Sequence, residues 1–168
     1  FLPESFATLY EETVLGWTRG DETQVGPGSM IYVCPNNPSV TSIIEDLAKW
    51  RRQQGYNVEV VTTATTGNTN TSIRNWLTSQ YAVMDPPLEF VTMVGDANGT
   101  ISTPTFYESG SGYGGEGDHD YSRLDGDDVL ADVHVGRLTV RDPTQLRTIV
   151  DKILNYEKYP DMSDERWF

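Results

Sequence analysis

Met30-Ile31-Tyr32-Val33-Cys34-Pro35-Asn36-Asn37-Pro38 sets a strand, a stop and a helix start side by side. Met30 to Cys34 form an uninterrupted apolar run, the pattern of a strand covered on both faces. Pro35 has no N–H with which to continue a ladder. Asn37 can accept from the first free amides of a helix, and Pro38 has the φ that suits the first helical position. Val40, Ile43, Ile44, Leu47 and Trp50 then recur at helical spacing until Gly55, which predicts a helix over 38–54. A buried strand feeding directly into an amphipathic helix is the opening of a βαβ unit.

Downstream the alternation repeats. Val58, Val60 and Val61 mark a second strand, and the polar stretch 62–70 reads as a loop with a cap. Ile73, Trp76, Leu77 and Tyr81 mark a second helix. Leu88-Glu89-Phe90-Val91-Thr92-Met93-Val94 is a third strand, and it stops at Gly95-Asp96, where α/β folds place working side chains. Residues 108–117 hold five glycines and read as a loop. Asp132 to Arg137 give a fourth strand, and Asp142-Pro143 opens a helix carrying Leu146, Ile149, Val150, Ile153 and Leu154 up to Pro160. The expected fold is a three-layer α/β/α domain on a small, mainly parallel sheet with right-handed crossovers. Upstream, residues 1–29 mix aromatics with acids and close on Val25-Gly26-Pro27-Gly28-Ser29, a lead-in expected to pack on a domain spanning 30–168.

Composition narrows the function. The 168 residues carry 25 Asp and Glu against 12 Lys and Arg, a net charge of −13. That balance repels phosphate backbones and anionic lipid, so no nucleic acid partner is expected. No apolar run approaches the roughly 20 residues of a membrane span. The single cysteine, Cys34, excludes an internal disulfide and a multi-thiolate zinc site. A start at Phe1 without Met or a basic leader reads as a processed or excised piece.

Six aspartates (118, 120, 125, 127, 128 and 132) crowd the segment before the fourth strand, with Arg123 as its one basic residue. Calcium takes six to eight oxygens, and a glycine-containing turn such as Asp125-Gly126-Asp127-Asp128 lets carboxylates and carbonyls converge. A solvated acidic turn is the plainer alternative, and the spacing is not that of an EF-hand. Cys34, His119 and His134 are the material for a Cys-His pair. Cys34 lies in an apolar strand and reads as a small buried hydrophobe, His119 as a turn residue, and His134 as a side chain on one sheet face. The glycine-rich segment lacks the Lys-Ser/Thr ending of a phosphate loop. Trp50-Arg51-Arg52 reads as a helix-terminal charge.

Taken in order, several pieces resemble the first half of the catalytic domain of gingipain-type cysteine peptidases. They are Met30 to Pro35, Asp46 and Trp50, Arg52 to Val60, Val94-Gly95-Asp96, Asp120-Tyr121, Asp125 to Asp128, Val135-Gly136-Arg137-Leu138, Tyr156-Glu157 and Asp164-Glu165-Arg166-Trp167. The resemblance implies a caspase-like peptidase of two subdomains, this chain being the first. The family's catalytic His and Cys lie in the second subdomain, so no catalytic residue carries over and the chain alone is expected not to hydrolyse peptides. It implies calcium held by the Asp96, Asp128 and Asp132 side chains with the Asp125 and Leu130 carbonyls. It also implies a C-terminal catalytic subdomain of the same polypeptide as partner, protein or peptide substrate for the whole enzyme, and a secreted or cell-surface location.

Three other readings stand beside it. Some relatives act as sortase-like transpeptidases. A stand-alone calcium-stabilised binding module would use the glycine-rich loop and the aspartates as a contact surface. A flavodoxin- or receiver-like domain would use Asp96 for Mg²⁺ and phosphorylation, but no matching lysine closes a later strand.

Overall fold

The computed structural model describes residues 2–15, 18, 25–107 and 114–159. Its strands are β1 (Leu2–Pro3), β2 (Val25–Gly26), β3 (Ser29–Cys34), β4 (Asn57–Thr62), β5 (Leu88–Val94), β6 (Phe106–Tyr107), β7 (Glu116–Gly117) and β8 (His134–Leu138). Its helices are α1 (Glu4–Thr13), α2 (Pro38–Gln53), α3 (Thr63–Thr66), α4 (Asn70–Tyr81) and α5 (Pro143–Lys158). A 3-10 turn covers His119–Tyr121.

The central sheet has four strands in the order β4-β3-β5-β8, all parallel. Three helix starts, those of α2, α4 and α5, are capped by their own side chains. The Asn37 side chain accepts from the Ser39 and Val40 amides ahead of α2, and Asp142 accepts from Gln145 ahead of α5. Thr69 and Ser72 cap each other's backbone at α4. These caps satisfy amides that have no partner inside the helix.

Strand β3 divides the core, because alternate side chains leave opposite faces of a sheet. Met30, Tyr32 and Cys34 join Val40, Ile43, Ile44 and Leu47 of α2 and Leu146 and Val150 of α5. Ile31 and Val33 join Ile73 and Leu77 of α4, with Tyr121 and Leu124. Both faces of the sheet are therefore covered, giving the expected three-layer α/β/α architecture.

Three local differences have simple causes. The stretch read as a loop after β4 includes the single helical turn α3, which ends at Gly67 with φ 83°. The fourth strand begins at His134, because Asp132 is turned back to the Leu124 and Asp125 amides. Within the glycine-rich segment, β7 pairs antiparallel with β6; Glu108 to Tyr113 lie outside the described residues, as do Trp17 and Asp164 to Trp167.

The lead-in meets the sheet through a buried carboxylate. Glu89 is fully buried and accepts from the Ser5 amide at 3.1 Å, the Ser5 hydroxyl and the Gly28 amide at 2.9 Å. Burying an ion is costly unless donors replace its water, and here they come from the first turn of α1 and from the residue before β3. The Phe6 ring of α1 and the Phe90 ring of β5 lie 4.8 and 5.2 Å from the His134 ring.

Candidate functional site

Strand β5 ends at the place where parallel sheets open a crevice beyond their carboxyl ends. Gly95 makes the turn with φ 107°, and a Cβ there would stand 2.8 Å from the Ile101 carbonyl oxygen. Asp96 follows. Its Oδ1 accepts from the Ala97 amide at 2.8 Å, and its Oδ2 lies 3.7 Å from Arg141 Nε.

Arg137, on the neighbouring β8, organises this edge. Its guanidinium meets Asp118 side by side, Nε to Oδ2 and Nη2 to Oδ1, both at 2.7 Å. Nη1 also donates to the Gly95 and Thr103 carbonyls at 3.0 and 2.9 Å and to Thr103 Oγ1 at 2.8 Å. A planar fork with five N–H donors suits such a junction, where a lysine would satisfy fewer acceptors. Tyr121 donates to the Pro104 carbonyl at 2.6 Å, and burial pushes its phenol well above the ordinary tyrosine value. Asp96, Thr105, Glu116, Asp118 and Arg137 line a polar cleft of about 270 Å³.

The aspartate-rich segment is largely wired to itself. Arg123 pairs with Asp120 at 2.9 Å and donates to the Asp128 carbonyl at 2.7 Å. Asp132 Oδ2 accepts from the Leu124 and Asp125 amides at 2.7 and 2.8 Å, and Asp128 Oδ1 from the Leu130 amide at 2.8 Å. Asp125, Asp128, Leu130 and Asp132 thus share one loop. Asp96 does not join them, since Phe90 registers with His134 and Val94 with Leu138. Asp132 precedes β8 while Asp96 follows β5, so they stand at opposite ends of the sheet, more than about 13 Å apart along the strands. Among the described residues, no three His, Cys, Asp or Glu side chains converge as a metal site.

Nor does a Cys-His pair assemble. Cys34 is fully buried at the carboxyl end of β3, where burial first, and the Glu45 charge second, push its thiol up to about 12. A thiol held protonated is a poor nucleophile. His134 registers with Phe90, which registers with Met30, four positions from Cys34 along β3. His119 instead lies against the Val129 carbonyl at 3.1 Å, on the loop.

Two arrangements went beyond the sequence reading. Arg51 is more than a helix-terminal charge: it binds both Glu157 oxygens at 2.6 and 2.8 Å, while Trp50 Nε1 donates to the same carboxylate at 2.7 Å. Arg137 belongs to the short motif Val135-Gly136-Arg137-Leu138, where a lone arginine in a half-buried strand signals a partner nearby.

Fold and residues together define a three-layer α/β/α domain with a polar cleft at the carboxyl end of its parallel sheet. The profile of Peptidase family C25 matches residues 23–168, and the chain belongs to that family, the gingipain-type cysteine peptidases. Gingipain R2 of Porphyromonas gingivalis is 26% identical over 161 residues, covering 91% of this chain and 20% of that protein. Lys-gingipain of the same organism is 34% identical over 122 residues, covering 68% of this chain and 7% of its own length. Among solved structures, the complex of Porphyromonas gingivalis RgpB pro- and mature domains superposes with a TM-score of 0.67 at 25% identity, over 77% of this chain and 29% of that one. The crystal structure of the Arg-specific cysteine proteinase gingipain R has a TM-score of 0.66 at 22% identity, over 83% and 30%. The chain therefore spans a minor part of each relative that it matches.

Proposed function

We propose that this chain is the non-catalytic subdomain of a secreted or surface-exposed cysteine endopeptidase, and that it supports the thiol-bearing subdomain of the same polypeptide. The observation that carries this reading is the family match over a sheet whose own cysteine is buried and protonated. Nucleophile and general base would come from outside the 168 residues, with peptide or protein as substrate. The side of β8 that is unpaired among the described residues and the exposed Tyr156 and Tyr159 near the end of α5 are where that partner would dock. The test is a peptide-cleavage assay on the gene's full natural product. Cleavage should be blocked by thiol reagents and survive Cys34→Ser; loss of activity in a folded Cys34→Ser protein would overturn the reading.

Calcium belongs to this proposal in a narrower form, held by Asp125, Asp128, Leu130 and Asp132 without Asp96. What supports it is the placement of these oxygens within one short loop. Bound calcium would neutralise carboxylates that repel one another and stabilise the loop by mass action. The expected result is a calcium-dependent rise in melting temperature that Asp128→Ala removes and Asp96→Ala keeps. An unchanged melt on chelation and calcium addition would remove calcium from the proposal. No helix among the described residues is long and apolar enough to cross a membrane.

A further inference from the structure

The turn 95–102 carries Asp96 beyond the carboxyl end of β5. It is closed by the Asp96 amide donating to the Ile101 carbonyl and the Thr103 amide donating to the Asp96 carbonyl, both at 3.0 Å. Asn98 and Gly99 stand exposed in its middle, and they line a cleft of about 300 Å³ with Asp96 and Arg141. Gly99 has φ 100°, and a Cβ there would meet open space. Among the described residues, the Asn98 side chain has no hydrogen-bond partner and the Gly99 amide has no acceptor.

Asn98 is also the one asparagine in the sequence that glycine follows. The others differ in ways that matter chemically. Asn37, Asn57 and Asn70 make side-chain hydrogen bonds. Asn75 and Asn155 lie within α4 and α5, where the next amide is bound along the helix. Asn36 and Asn68 precede residues whose Cβ crowds the backbone amide.

An asparagine side chain is open to attack by the backbone nitrogen of the next residue, because both reactants are held in one molecule. Glycine permits the approach, since it has no Cβ and the widest choice of φ and ψ. The Gly99 nitrogen loses its proton to hydroxide and attacks Cγ of Asn98. A C–N bond forms, the Cγ–Nδ2 bond breaks, and ammonia leaves with a proton taken from water. The product is a cyclic succinimide. Water then opens the ring at either carbonyl, leaving an aspartyl or isoaspartyl residue at position 98.

We propose that Asn98 is a spontaneous modification site, whose deamidation adds a carboxylate to the cleft shared by Asp96 and Arg141. Arg141 Nε lies 3.7 Å from Asp96 Oδ2, and the new carboxylate competes for that guanidinium. The isoaspartyl form also lengthens the main chain by a methylene inside the turn, which weakens the two hydrogen bonds that close it. This chemistry belongs to the turn itself and stands apart from the peptidase reading.

The test is ageing of the full chain at mildly alkaline pH, followed by peptide mapping with mass spectrometry on digests kept acidic. The peptide holding Asn98 should gain the mass of an amide-to-acid change, split into aspartyl and isoaspartyl forms, and do so ahead of every other asparagine. Asn98→Gln should abolish the early acidic species in anion exchange. Gly99→Ala, whose methyl stands beside the attacking nitrogen in otherwise open space, should slow its formation at least about tenfold, the rate equivalent of about 1.4 kcal/mol of barrier. Hydrogen exchange should quicken at the Asp96 and Thr103 amides in the isoaspartyl form. Earlier deamidation at another asparagine would overturn the proposal. So would an Asn98 that keeps its amide in the folded chain and loses it in urea, because the fold would then be protecting the site.

Discussion

Replacing Glu89 by alanine should uncouple α1 from the sheet and cost about 3 kcal/mol of stability. The figure follows from what the carboxylate satisfies. It takes hydrogen bonds from two backbone amides, Ser5 and Gly28, and from the Ser5 hydroxyl, all at a fully buried position. Each buried amide left without an acceptor costs about 1–3 kcal/mol. The lost contact with the positive end of α1 adds about 0.3–1 kcal/mol, and relief from burying an ion offsets part of the sum. Glu89→Gln keeps one acceptor oxygen but turns an amide donor toward another donor, so it should cost about half as much. Urea unfolding measures both, and hydrogen exchange across residues 4–13 tells loss of the α1 contact from global loosening. If Glu89→Ala stayed within about 1 kcal/mol of the parent with α1 still protected, the buried carboxylate would not be the anchor.

Other outcomes follow from the same geometry. Burial raises the Glu157 pKa, but hydrogen bonds from Arg51 and Trp50 and the Arg51 charge bring it below the ordinary glutamate value. Its stabilising contribution is thus complete above about pH 4.3 and is lost as pH falls through the lower folded value. The stability gap between parent and Glu157→Gln should shrink as acid is added, and a gap constant with pH would refute this. Cys34 should resist iodoacetamide at neutral pH until the chain unfolds, since burial pushes its thiol up to about 12; alkylation at the rate of a free thiol under native conditions would contradict its burial. Gly95→Ala meets both a positive φ and the Ile101 carbonyl, so it should cost at least about 1–2 kcal/mol in thermal or urea unfolding.

The sheet was legible because its strands are short apolar runs between strong punctuators. Pro35, Asn37, Gly55 and Pro143 act within a few residues of themselves, and the elements begin or end beside them. The site was less legible because its contacts are long in sequence. Asp118 meets Arg137 across 19 positions and Glu89 meets Ser5 across 84, and no periodicity encodes such pairs. The aspartates illustrate the difference: Asp125 to Asp132 share a loop that the sequence shows, whereas their distance from Asp96 depends on the direction of β8. Glu89 did leave a signal, a charge inside an otherwise apolar strand. Arg51 left little, since a cation at a helix end explains itself without Glu157.

The order β4-β3-β5-β8 also has a consequence in time. As the chain leaves the ribosome, β3, α2, β4, α4 and β5 are all complete by Val94; β4 closes onto β3 over α2, and β5 then returns to pair along the other side of β3. Strand β8 begins at His134, forty residues after β5 ends its pairing at Val94, so it is the last of the four strands to join the sheet. Until then β5 has an open flank, and α5 has not yet covered Met30, Tyr32 and Cys34 from its side. A nascent chain paused between these points would be a three-strand intermediate with one sticky edge, the species that a chaperone would meet.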